Sequence, residues 1–235
     1  MARMARIVAV NVPHHVTQRG NGRQRILTSD AERAVYLELL LQYVKLYELS
    51  LVGYCLMSNH VHLVLVPHDT DALATALKQA HGRYATYWNA THNSSGHVWQ
   101  GRFYSSPLDS AHLWIALRYT ELNPVRAKLV PEAVSWPWSS AADHCAAREA
   151  PPWLDTEMWS RRWKAEKWRE YLADGEREEE ITTIRQCTHT GRPLGTARFI
   201  QSLEEATNRR LAPQKGGRPH KAAANQGQTT LVFER

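Results

Sequence analysis

Cysteine is scarce in this 235-residue chain, and its placement excludes two architectures at once. Cys55, Cys145 and Cys187 lie far apart with no Cys-x-x-Cys spacing, which argues against both a disulfide framework and a structural zinc knuckle. They read as reduced thiols. Also missing is any apolar run long enough to cross a bilayer, and the opening MARMARIVAVNVPHH has too short an apolar stretch for a secretion signal. A cytoplasmic protein with no membrane anchor is the expectation. Acidic residues are the minority, 23 Asp plus Glu against 29 Lys plus Arg, for a formal net charge of +6. Such an excess favours a polyanionic partner, nucleic acid first and an anionic membrane surface second. No internal repeat is present.

What is there suffices for a core, since 43% of the residues are hydrophobic. The alternating HHVTQR reads as a strand that ends at the turn signal Gly20-Asn21-Gly22. Ser29 and Glu32 have capping-box spacing, and Val35, Tyr36, Leu39, Leu40, Tyr43 and Tyr47 follow on one helical stripe. Leu51 to Met57 reads as a second strand, and Ser58-Asn59 separates it from a third that ends at Pro67. A second helix is expected from Thr70 to Asn89, a fourth strand within HVWQGRFYSSPL, and a helix from Ser110 that Pro124 halts. The order β-α-β-β-α-β predicts an α+β, ferredoxin-like antiparallel sheet of the split β-α-β kind, with helices on one face. Beyond it the sequence predicts a mainly helical extension. This includes one helix from Thr156 to about Glu180, anchored by Trp159 and Trp163, and a short helix around Phe199, Leu203 and Ala206. The expected divisions are 1–145, 146–211 and a basic tail, 212–235, too poor in apolar residues to fold when free.

The third strand carries the chemistry. In SNHVHLVLVP, His60 and His62 are two residues apart, so a strand puts both rings on the same face. Two neutral imidazoles aimed at one point can grip a divalent metal without adding charge, although a bare pair is equally compatible with two hydrogen-bonded structural rings. On the helix halted by Pro124, Tyr119 and Asn123 are four apart and share a face. A carboxamide oxygen suits Mg²⁺ or Mn²⁺, and a phenol can act as a nucleophile. Taken singly, Tyr119 could equally be a core aromatic near Leu122 and Asn123 a helix C-terminal residue. Cations gather in two places. Arg19, Arg23 and Arg25 flank the early glycines, with Arg102 exposed between aromatics; Arg209, Arg210, Lys215, Arg218 and Lys221 crowd an acid-free stretch near the end.

SNHVHLVLVP followed by RYTELNPVRAKLV resembles the single-tyrosine HUH transposases, and among them the bacterial REP-associated tyrosine transposases. The resemblance covers about residues 10 to 142, and TGRPLGTARFIQSLE and a later GRP resemble the tails of that branch. It implies a metal-dependent enzyme that cleaves and rejoins single-stranded or hairpin DNA. His60, His62 and Asn123 would be the metal ligands for Mg²⁺ or Mn²⁺, and Tyr119 the nucleophile forming a 5′-phosphotyrosine. Arg19, Arg23, Arg25 and Arg102 would contact the DNA, with Arg209, Arg210, Lys215, Arg218 and Lys221 adding affinity. The extension is absent from the minimal members that act as domain-exchanged dimers, which implies a monomer, nucleoid-associated when bound to DNA. Two alternatives remain at this point: a non-catalytic ferredoxin-like nucleic-acid-binding module, and a zinc hydrolase using His60, His62 and Cys55.

Overall fold

The computed structural model describes residues 6–212; Lys215, Arg218, Lys221 and the basic tail from residue 213 onward lie outside them. The chain runs β1 (His14–Arg19), α1 (Asp30–Leu46), β2 (Leu49–Leu56), β3 (His60–Pro67), α2 (Ala72–Thr91), β4 (Tyr104–Pro107) and α3 (Ser110–Glu121). Two short helices, α4 (Asn123–Arg126) and α5 (Ala141–His144), lead to α6 (Glu157–Ser160), α7 (Ala165–Ala173), α8 (Glu178–Thr190) and α9 (Ala197–Thr207). The strands form one sheet in the order β2-β3-β1-β4, each neighbouring pair antiparallel. This is the split β-α-β arrangement expected from the sequence.

Local chemistry sets the elements. Ser29 accepts from the Glu32 backbone N–H while Glu32 accepts from the Ser29 N–H, completing the capping box that starts α1. Asp109 caps α3 by accepting from the N–H groups of Ala111 and His112. α3 ends at Leu122, and Pro124 falls in the first turn of α4, where its missing N–H costs nothing.

Strand alternation divides the molecule into two cores. Val16, Val61, Leu63 and Leu65 face α1 and α2 in one apolar cluster. Val64 and Val66 point the other way, into a second cluster with Leu113 and Leu117 of α3 and Trp159, Trp168 and Ile181 of the extension. Gly53 lets α3 approach β2, because a Cβ there would lie 2.2 Å from Leu117 Cδ1. The extension thus covers the sheet face that carries the histidines.

The long helix expected from Thr156 to about Glu180 is not continuous. It breaks into α6, α7 and the start of α8. Lys164 is extended and Gly175 takes a left-handed φ of 73°, so the chain turns twice. The turns let Trp159, Trp163 and Trp168 converge in one aromatic cluster instead of spiralling apart. α8 was not expected to reach Thr190. Its signals are nevertheless ordinary ones: Glu178, Glu179 and Glu180 in the first turn favour a helix start, and left-handed Gly191 closes the end by donating to Cys187 O.

Candidate active site

His60, His62, His15 and Thr17 project from β3 and β1 on the face away from α1 and α2, and Tyr119 comes from α3 above them. They line a cavity of about 920 Å³ that Asn123, Arg126, Arg185 and Thr188 complete. The sheet and Tyr119 meet here, but Asn123 comes from α4, past the end of α3, and not from the helix that carries Tyr119, because the chain leaves α3 at Leu122 before Pro124 opens the next helix.

The rings pack tightly. His60 and His62 stand edge to face, with centroids 5.0 Å apart, and the Tyr119 ring meets His62 edge-on at 5.4 Å. His15, unmarked in the sequence reading, lies nearly parallel to His62, and its Nε2 is 2.9 Å from His62 Nδ1. Its own Nδ1 is 2.8 Å from Thr188 Oγ1 on α8. On the other side, His60 Nδ1 donates to Asn59 Oδ1 at 2.6 Å. The Asn59 amide is oriented by its Nδ2, which donates to Arg23 O. His60 Nε2 is left facing Asn123, whose amide nitrogen is 3.4 Å away.

Burial and nearby cations keep these imidazoles neutral. Desolvation, then the charges of Arg19 and Arg126, lower His60 to about 4. Burial and Arg126 lower His15 to about 3. His62 is driven well below the ordinary histidine value by burial, then by its neighbours His60 and His15. At neutral pH each ring therefore keeps a lone pair for a ligand or a hydrogen bond.

Tyr119 is 5% exposed and held on three sides. The Arg126 guanidinium lies over its ring at 4.0 Å and is itself ion-paired with Glu176. Arg185 Nε donates to the phenolic oxygen across 3.4 Å. Tyr104 and His189 stack at the cavity rim, with centroids 5.0 Å apart. Among the described residues, four arginines, Arg19, Arg23, Arg126 and Arg185, line the cavity and no Asp or Glu does.

Of the other cations singled out in the sequence, Arg25 and Arg102 are exposed and do not line the cavity. Arg209 and Arg210 follow α9, and Arg209 donates to Arg6 O. Cys55 pairs with His62 across the β2–β3 ladder, but its thiol is buried, donates to Met57 Sδ and is pushed far above the ordinary thiol range by burial. Among the described residues no three His, Cys, Asp or Glu side chains converge as a metal group, so the zinc site with Cys55 is not built. Sequence reasoning missed His15, Arg126, Arg185 and Thr188. Only His15 had a usable signal, since His15, Thr17 and Arg19 alternate on one strand face.

Fold and site together define a class: a ferredoxin-like α+β sheet presenting paired imidazoles to a helix-borne tyrosine inside a cationic cavity. Residues 9–123 match the family described as IS200-like transposases, the kind of protein that the two motifs suggested. It is similar in fold to a REP-associated tyrosine transposase solved bound to a REP hairpin. That match has TM-score 0.54 and 17% identity, over 65% of this chain and 89% of that one. A putative transposase from Deinococcus radiodurans R1 also matches, with TM-score 0.36 and 14% identity over 55% of this chain and 98% of that one. No curated protein matches the sequence significantly. Among the described residues no helix is long and apolar enough to cross a membrane.

Proposed function

We propose that this chain cleaves and rejoins single-stranded DNA through a covalent bond to Tyr119, acting at hairpin sequences. The observation that carries the reading is the pairing of a cavity-lining phenol with two neutral imidazoles in a pocket lined by four arginines and no acid. A phosphodiester is the anionic group such a pocket suits.

In the proposed reaction Tyr119 Oη attacks the phosphorus in line, the P–O3′ bond breaks, and a 5′-phosphotyrosine and a 3′-hydroxyl result. The phenolic proton passes to solvent, and the departing O3′ takes up a proton from solvent. Religation is the reverse attack by a 3′-hydroxyl, so no nucleotide cofactor is consumed. An ordinary phenol is protonated at neutral pH. Arg185 donates to the phenolic oxygen, and Arg126 holds the ring in place. Arg19 and Arg23 lie where they can take flanking phosphates, and Tyr104 with His189 offers a stacking surface for a base. Arg25, Arg102, Arg209, Arg210 and the tail cations Lys215, Arg218 and Lys221 would add salt-dependent affinity for the flanking DNA.

The donor set fits a divalent cation. His60 Nδ1 and His62 Nδ1 are both engaged, which leaves the two Nε2 atoms on the cavity side with the Asn123 carboxamide beside them. Mg²⁺ or Mn²⁺ held by His60, His62 and Asn123 would polarise a non-bridging phosphate oxygen. The test is incubation with single-stranded hairpin DNA and Mn²⁺, followed by denaturing electrophoresis. A protein–DNA band that survives denaturation is expected. Binding without any such band would instead support a non-catalytic nucleic-acid-binding module.

A further inference from the structure

The two imidazoles of the proposed cation site are oriented in different ways. His60 is set locally, by the neighbouring Asn59 at 2.6 Å. His62 is set from a distance: its Nδ1 meets His15 Nε2 at 2.9 Å, and His15 Nδ1 meets the Thr188 hydroxyl at 2.8 Å, between residues 173 apart in sequence. His62, His15 and Thr188 are 5%, 1% and 3% exposed, so water has little access to replace either bond.

We propose that His15 and Thr188 are positioning residues that hold His62 in the tautomer able to ligate a cation, so that helix α8 is part of the metal grip. The inference rests on reading His60, His62 and Asn123 as the cation site. A neutral imidazole has one donor and one acceptor nitrogen, so the proton at one end of the chain fixes all the others. With Thr188 Oγ1 accepting from His15 Nδ1, His15 Nε2 must accept from His62 Nδ1. His62 Nε2 then carries a lone pair into the cavity. With the chain reversed, Nε2 is protonated and cannot ligate. Metal-bound histidines commonly give their second N–H to a carboxylate. Here a neutral imidazole and a hydroxyl do the work, and the cavity keeps its acid-free lining, which suits a bound phosphate.

The test is Mn²⁺ titration of the full-length protein by calorimetry at pH 7 without DNA, paired with ¹⁵N-histidine spectra that report which His62 nitrogen is protonated. Thr188→Val removes the hydroxyl at nearly constant volume and should weaken Mn²⁺ binding by about tenfold. It should also raise the Nε2-protonated fraction of His62. Thr188→Ser keeps the hydroxyl and should stay within about threefold of wild type. Wild-type affinity in Thr188→Val, or equal weakening in Thr188→Ser, would overturn the relay while leaving the cation site standing. If wild type binds no Mn²⁺, or His60→Ala binds it equally well, the cation site itself falls and the relay with it.

Discussion

Tyr119→Phe should separate the proposed chemistry from binding, because the structure isolates what the substitution removes. One oxygen is lost and the ring stays, with its Arg126 contact at 4.0 Å and its edge contacts to His62 at 5.4 Å and His15 at 5.6 Å. The hydroxyl's hydrogen bond in the structure is the long one to Arg185 at 3.4 Å, so its net contribution should be no more than about 1 kcal/mol. That limits the loss of DNA affinity to about fivefold and the shift in melting temperature to a few degrees. Cleavage has no such limit. Without the attacking oxygen no phosphotyrosine forms, and the rate should fall by more than about 10⁴-fold, equivalent to over about 5 kcal/mol of barrier. Fluorescence anisotropy on a labelled hairpin reads binding, and denaturing gels of the same mixtures read the covalent adduct. An adduct formed at the wild-type rate would refute the assignment. It would move the search to Tyr104, which also lines the cavity, and not to Tyr84, whose hydroxyl is buried against Ile26 O on the other face of the sheet.

Three more expectations follow. His60→Ala and His62→Ala should each abolish metal-dependent cleavage, whereas Asn123→Ala should be weaker but partly restored by raised Mn²⁺, since water can replace one ligand; normal cleavage by these variants in a chelator would make the imidazoles structural. Arg185→Gln should slow adduct formation by about 10²-fold with a much smaller loss of DNA affinity, because its contact is with the Tyr119 hydroxyl, the proposed nucleophile; equal losses in both assays would make it a binding residue only. His81 is buried against Tyr36, Trp99 and Phe103, and burial lowers it to about 3. The unfolded chain therefore takes up a proton below about pH 6.5 that the folded chain refuses, and stability is lost as pH falls through that window. His81→Gln should reduce the slope of unfolding free energy between pH 6 and 4 by about 1.4 kcal/mol per pH unit, measured by denaturant titration, and an unchanged slope would refute the assignment.

Much of this protein was written in local sequence. Period-two alternation alone put His60 and His62 on one face, because backbone geometry fixes side-chain direction wherever the element type is right; Asn123 reaches the same cavity from α4, past the end of the helix that carries Tyr119. The Ser29 and Glu32 capping box and the β-α-β-β-α-β order are local in the same way. The second half of the site is not. Which strand lies beside β3, and therefore that His15 touches His62, depends on β1 inserting between β3 and β4. Trp159, Trp163 and Trp168 cluster only after two breaks in a segment that reads as one helix. Those breaks, with the Arg118–Glu180 ion pair, bring α8 to the sheet and so bring Arg185 to Tyr119 and Thr188 to His15. Neither Arg185 nor Thr188 carries a motif, since their partners lie far away along the chain and the hydrophobic burial that unites them has no fixed spacing. Residue type and period picked out the candidate groups His60, His62, Tyr119 and Asn123; only the packing of the extension on the sheet decided what touches them.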